Sequence, residues 1–160
     1  MTIFTRSLFV ISLCCTLMAC GFQLRGANEF SYKTLHISGQ TQINKALKKS
    51  FATNGVEVVD SANEAEMQLE LLKEEYEKRI LSLSGDGLVR EYELYYRVHY
   101  RTKPTQETLW SQPLTMEVRR DLSYSDKSLL GKEIEEKRLV EDMHNQVVRN
   151  LMRRLATLKK

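Results

Sequence analysis

The sequence predicts an α+β domain: two helices packed on one face of a mostly antiparallel four-stranded sheet, a two-layer sandwich. Three observations carry this expectation. Between positions 88 and 101, Leu88, Tyr92, Leu94, Tyr96, Val98 and Tyr100 hold even positions while Glu91, Glu93, Arg97, His99 and Arg101 hold odd ones, so a strand there has one apolar and one charged face. Two other segments repeat their apolar residues at the helical period of about 3.6. A sheet with a single apolar face and two amphipathic helices is satisfied most simply when both helices cover that face.

The chain of 160 residues begins with a stretch unlike the rest. In residues 1–19 only Arg6 is charged, and Leu8, Phe9, Val10, Ile11, Leu13, Leu17 and Met18 form an apolar block broken by small residues. A basic start, an apolar middle and a small-residue end describe an export signal. The block is short for a membrane span, which takes about 20 apolar residues; an uncleaved signal anchor is the alternative. The signal ends at Leu17-Met18-Ala19-Cys20, a lipobox pattern: a nucleophilic thiol behind a small residue. Cys20 is thus expected to receive S-diacylglycerol, become the first residue after cleavage and take an N-acyl chain. Several acyl chains anchor stably where one is marginal. An ordinary secretory cleavage site that happens to precede a cysteine is the competing reading. The other two cysteines, Cys14 and Cys15, lie inside the leader, so the processed chain has no internal disulfide and relies on its core. Gly21, rather than Asp, follows Cys20; by resemblance to Gram-negative lipoprotein sorting, this implies the outer membrane, on its periplasmic side.

Residues 20–32, with Gly21, Gly26, Asn28 and Ser31, read as a lipidated tether. A single domain fills residues 33–160. Leu35–Ser38 alternates as a short first strand ended by Gly39. A helix follows, with Ile43, Ala46, Leu47 and Phe51 inward, Lys45, Lys48 and Lys49 outward, Thr41 as N-cap and Asn54-Gly55 as stop. Val56–Val59 is a short extended piece. Glu66–Leu83 is a long strand whose phase blurs between Leu72 and Tyr76, suggesting a bulge. Ser84-Gly85-Asp86-Gly87 is a hairpin turn by composition; a phosphate cradle is the weaker alternative. Trp110, Leu114, Met116 and Val118 share a face of the next strand, where Pro113 implies an edge or a break. From about Lys132 to Leu158 a long helix carries Val140, Met143, Val147, Leu151 and Leu155 in one stripe, acidic at its start and basic at its end, as the helix dipole favours.

No chemistry stands out. His36, His99 and His144 lack neighbours at metal-ligand spacing, and no nucleophile elbow or phosphate loop is present. No catalytic residue, metal or cofactor is expected. With 24 Lys and Arg against 21 Asp and Glu, bulk nucleic-acid binding is not indicated. Arg90, Arg97, Arg101, Arg119, Arg120 and Lys132 punctuate the strands and the start of the long helix. Each alone fits a solvated face with Glu–Arg pairs; together they are candidates for an anionic lipid headgroup, since guanidinium presents a planar fork to phosphate.

Cys20-Gly21-Phe22-Gln23-Leu24-Arg25-Gly26 closely resembles the opening of the mature LPS-assembly lipoprotein family, LptE, with Gln23 where His is frequent. Asn54-Gly55-Val56-Glu57, Asp86-Gly87 with Glu91-Tyr92-Glu93-Leu94, and Asn150–Leu155 are similar to later segments of that family, in order along the chain. The resemblance implies a non-enzymatic protein with two helices on a four-stranded sheet. It implies a plug inside the barrel protein LptD that also assists its assembly, the pair forming the translocon that inserts lipopolysaccharide into the outer leaflet. It further implies lipopolysaccharide binding through basic residues near the hairpin tip and before the last helix. Lys132 matches the second place. At the tip Gly85 or Ser84 stands where a basic residue is expected, and Arg90 is the nearest candidate; Arg119 and Arg120 remain candidates from the strand that follows. A lipid-anchored periplasmic solute-binding or transport accessory module without a barrel partner is the alternative.

Mass spectrometry of membrane-purified protein is expected to show a chain beginning at Cys20 with its thiol and amine acylated. A free thiol on a diffusible species would refute the anchor.

Overall fold

The computed structural model describes residues 30–124 and 129–158. The leader, Cys20 and the tether up to residue 29 lie outside the described residues. The elements are β1 (Thr34–Ser38), α1 (Asn44–Thr53), β2 (Glu57–Val59), β3 (Met67–Leu83), β4 (Val89–Pro104), β5 (Leu114–Ser123) and α2 (Leu129–Ala156). They form one sheet, ordered β2-β1-β3-β4-β5.

The class is α+β with two helices, but the sheet has five strands and is mixed, which corrects the expected four antiparallel strands. Glu57–Val59 is a strand, parallel to β1 with Thr34 opposite Glu57 and His36 opposite Val59. Three residues are too few for a period-two pattern to register. Because α1 carries the chain back across the sheet between β1 and β2, their pairing must be parallel. β1 also runs parallel to β3, with Leu35 opposite Met67. The antiparallel part is β3-β4-β5.

Both helices pack on the same sheet face. Leu47 and Phe51 of α1 and Met143, Val147, Leu151 and Leu155 of α2 are fully buried, against Leu35, Leu69, Leu94, Tyr96 and Val98 from the strands. Burying one such side chain contributes about 1.5–3 kcal/mol. The expected stripe of α2 is widened by Val148 and Met152, which are also buried. The chain joins this core at Phe30, whose ring lies 5.4 Å from those of Tyr32 and Phe51.

Three local expectations meet a different outcome. Thr41 does not cap α1: the helix starts after Ile43 without a side-chain cap. The strand expected from Trp110 begins only at Leu114, because Pro113 cannot donate to the ladder; β5 is indeed an edge strand. Leu88, expected inside, is 58% exposed beside the turn. The turn itself forms as expected, with Gly87 at φ +77° donating its N–H to the Ser84 carbonyl at 3.0 Å. The expected bulge is present too: the β3–β4 register shifts between Leu71 and Lys73.

Gly39 fits against that bulge. Its φ is +94°, and a Cβ there would stand 2.1 Å from the Leu71 carbonyl oxygen. Backbone cannot yield as a flexible side chain can, and left-handed φ adds about 1 kcal/mol or more of strain for an L-residue. Gly39→Ala is therefore expected to destabilise the fold by about 2 kcal/mol or more in urea unfolding, whereas Gly85→Ala, which meets nothing within 4 Å, is expected to be near neutral.

Candidate binding surfaces

The sheet face turned away from the helices carries odd residues of β4, with β3 and β5 partners set by register. Glu75 pairs across from Arg97, Glu77 from Tyr95, and Arg97 from Glu117. Their charges satisfy one another. Arg97 donates to Glu77 at 2.9 Å and to Glu117 at 2.6 Å, and Arg79 grips Glu77 through Nε and Nη2 at 2.6 and 2.8 Å. Arg101 bonds Glu70, and Lys73 pairs with Glu75. Tyr95 lies at the centre, with the guanidinium carbons of Arg79 and Arg97 4.8 and 4.7 Å from its ring centroid and that of Arg119 at 6.0 Å. Trp110 has the same relation to Arg101 and Lys103, at 4.7 and 5.6 Å. Cation–π contact of this kind adds about 0.5–1 kcal/mol at exposed sites. The sequence reading passed over Tyr95, although an aromatic ring among charged odd positions was the available signal.

These contacts set the titration of the acids. The Glu75 carboxyl is held down from 4.5 to about 2, first by its hydrogen bond to Lys73 and then by His99. Glu77 is lowered by Arg79 and then Arg97. On the helix side, burial works against ionisation of Glu136, but hydrogen bonds from Lys78 and Tyr76 outweigh it and lower its pKa.

The four basic residues singled out from the sequence are not brought onto one face. Arg119 is on the open face, 60% exposed and held only loosely, 3.5 Å from Glu93 and 3.9 Å from Glu117. Arg120, its neighbour along β5, points the other way and bonds Asp142 at 2.8 Å and Gln146 on α2. Lys132, in the first turns of α2, bonds Glu135 at 2.8 Å. Arg90 sits at a register irregularity beside the hairpin turn, exposed, with its carbonyl accepting from Tyr124 N–H at 2.7 Å. Of the three strand arginines, only Arg90 lies at the distal end of the sheet, where the β3–β4 ribbon also exposes Ile80, Leu81, Leu83 and Leu88; Arg119 and Arg120 stand opposite Tyr95 and Leu94, midway along β4.

A cleft of about 700 Å³ opens between the start of α1, the bulged part of β3 and α2. Glu74 forms its floor, accepting from Gln42 N–H at 2.6 Å and from the Tyr96 hydroxyl. The His144 ring lies 4.4 Å from that of Tyr96. The sequence marks Thr41 as a cap, Tyr96 and Val140 as core positions and His144 as an isolated histidine, but not their meeting with Glu74, because the lining comes from the start of α1, β3, β4 and α2 and follows no local motif.

His99 is not isolated as expected. Its Nε2 is 3.0 Å from Glu75 and its Nδ1 2.8 Å from the Thr115 hydroxyl. That is the connectivity of a hydroxyl–imidazole–carboxylate relay, but it lies on open sheet away from the cleft, and the Thr115 and His99 backbones face each other in the ladder. General-base chemistry needs a substrate held in place, and His99 is not among the residues that line the cleft. Among the described residues no group of three or more His, Cys, Asp or Glu is placed to hold a metal.

One enclosed core, a self-paired polar sheet face and a ribbon with an exposed apolar tip define a two-layer α+β domain. The chain belongs to the family described as LptE, Lipopolysaccharide-assembly, which matches residues 32–155. This family is a non-enzymatic component of lipopolysaccharide transport, and its members are envelope lipoproteins. Among solved structures, lipoprotein B from Nitrosomonas europaea is 32% identical, with a TM-score of 0.72 over 85% of this chain and 90% of that one. The rare lipoprotein B from Shewanella oneidensis is 28% identical, with a TM-score of 0.70 over 78% of this chain and 94% of that one. A minor lipoprotein from Acinetobacter baumannii, 20% identical with a TM-score of 0.62 over 79% and 92%, shares the fold. No curated protein matches the chain.

The lowered carboxylates make stability depend on acid. A group whose folded pKa is depressed stabilises the fold above its unfolded value and loses that contribution as pH falls through the folded one. For Glu75 that window runs from 4.5 down to about 2, and Glu77 and Glu136 act in the same sense. The melting temperature is expected to drop through this window at low ionic strength, and the drop to shrink in about 1 M salt, where screening is strong.

Proposed function

We propose that this chain is an outer-membrane lipoprotein, anchored through acylated Cys20, that plugs and helps assemble the LptD barrel. The pair forms the translocon that inserts lipopolysaccharide into the outer leaflet, and the chain itself binds lipopolysaccharide. The observation that carries the reading is the family match across the whole core, residues 32–155. The geometry supports it. A polar sheet face whose charges are already paired can sit in a wet barrel lumen without leaving buried charge behind. The exposed leucines and Ile80 of the ribbon tip fit apolar surface on the partner or on the lipid.

For the lipid, Arg119 is the residue of first choice. Its guanidinium is exposed and its two carboxylate partners are at the limit of contact, so a lipid phosphate displaces little. Arg90 beside the hairpin turn and Lys132 in the first turns of α2 are the other candidates. Arg120 would have to leave Asp142 and Gln146 to take part.

Two measurements test this. Pull-down of the acylated protein from envelopes in mild detergent is expected to recover a large barrel; recovery of none would favour an anchored module without a barrel partner. Arg119→Ala combined with Lys132→Ala is expected to weaken lipopolysaccharide binding by on the order of tenfold with the fold intact, as for loss of charge-assisted hydrogen bonds. Unchanged affinity would remove these residues from the site.

A further inference from the structure

The helix layer distributes charge differently from the sheet face. Between Phe30 and Val56 there is no acidic residue, and none between His144 and Leu158. Lys45, Lys48 and Lys49 stand one turn apart on α1, all exposed, and Arg149 and Arg153 are exposed on α2. Among the described residues none of the five has a carboxylate partner, whereas Arg79, Arg97 and Arg101 of the strands are held by Glu; Arg153 meets the Asn150 side-chain oxygen at 2.5 Å. Nearby acids do not reach this surface. Glu74 is engaged by Gln42 and Tyr96 in the cleft, Glu66 accepts from Lys33 N–H at 2.7 Å, and Glu57 alternates with the half-buried Val58 and so turns to the opposite side of the sheet. The acids of α2 itself, from Glu133 to Asp142, occupy its other half.

The tether enters at this same end. Phe30 packs on Phe51 in the last turn of α1, and the Ser31 hydroxyl donates to the Leu158 carbonyl, beyond the end of α2, at 2.8 Å. Residues 20–29 can reach at most about 35 Å. An anchor on Cys20 therefore keeps these cations within a short swing of the membrane it enters.

We propose that the acid-free surface formed by Lys45, Lys48 and Lys49 of α1 with Arg149 and Arg153 of α2 docks on the anionic phospholipid headgroups of the leaflet holding the anchor. The proposal uses the Cys20 anchor of the functional reading for delivery to the membrane; the surface itself acts without acylation. Docking lays the helix layer against the leaflet and turns the open sheet face and the ribbon tip away from it, ready for the barrel. Each Lys or Arg near an anionic bilayer contributes about 1 kcal/mol, roughly fivefold in partition, and acts only within the screening length of ~8 Å. Five such groups with no carboxylate partner are enough for measurable binding.

The test uses residues 20–160 with Cys20→Ala, which keeps the entire described core because that core lies within residues 32–155. Flotation with vesicles of phosphatidylcholine alone is compared with vesicles carrying about one-third phosphatidylglycerol, a strongly anionic surface. The chain is expected to float with the anionic vesicles only, and to be released at about 1 M salt. Lys45→Gln, Lys48→Gln and Lys49→Gln together are expected to lower partition by tenfold or more, with an unchanged circular dichroism spectrum since all three side chains are exposed. Arg149→Gln with Arg153→Gln is expected to do the same in part. Lys73→Gln, Arg79→Gln and Lys103→Gln, a charge-matched change on the opposite face, is expected to leave partition unchanged. Equal binding to neutral vesicles, or indifference to the α1 substitutions, overturns the proposal. So does binding to lipopolysaccharide aggregates that falls with those substitutions while phosphatidylglycerol gives nothing. Loss of barrel recovery with vesicle binding intact would instead count against the functional reading alone.

Discussion

The arrangement rests on β3 changing phase at Leu72. Up to Leu71 its odd residues, Met67, Leu69 and Leu71, are buried under the helices. Had the alternation continued, Lys73, Glu75, Glu77 and Arg79 would follow them onto the helix side, where unpaired charge is costly. The extra residue at the bulge turns those four to the open face and brings Glu74, Tyr76 and Lys78 under α2. There Tyr76 and Lys78 both donate to Glu136, at 2.7 and 2.6 Å, and Glu74 floors the cleft. One backbone irregularity thus creates both the charge lattice outside and the polar cleft inside. Gly39 is its structural complement, since only a residue without Cβ lets the β1–α1 connection lie against the Leu71 carbonyl.

The consequence is two kinds of charged surface with different capacities. On the open face, moving an arginine onto a ligand strands a glutamate whose pKa the arginine had lowered, as between Arg97 and Glu77. Such groups hold the face together and resist foreign anions. On the helix surface no carboxylate competes, so an incoming phosphate meets cations that are already free. Arg119 is intermediate: it lies on the lattice but at its rim. Position in the pairing network, rather than the number of arginines, decides which cations can recognise a lipid.

Much of this was legible in the sequence. The even–odd pattern of 88–101 gave β4 and its buried face, the 3.6 period gave both helices, and the loss of phase near Leu72 marked the bulge. What was not legible was non-local. A three-residue β2 has no period of its own and exists because β1 offers it a ladder. Adjacent Arg119 and Arg120 look like one basic patch in sequence but fall on opposite sides of a strand. His99 found Glu75 and Thr115 across two ladders, and the cleft drew its polar groups from the start of α1, β3, β4 and α2. Sequence patterns report what each element does to its own residues; they do not report which side chains meet across registers.

The sheet's edges complete the argument. An open sheet carries a hazard: unpaired edge groups can capture a foreign strand. Here one edge is β2, only three residues long. The other is β5, delayed by Pro113 and carrying the charged Glu117, Arg119, Arg120 and Asp121. Neither offers a long, flat, uncharged ladder. The late start of β5, which Pro113 announced in the sequence, and the brevity of β2, which nothing announced, thus guard the two edges against strand capture. On the proposed function, contact with a partner then falls to side chains rather than to an added strand.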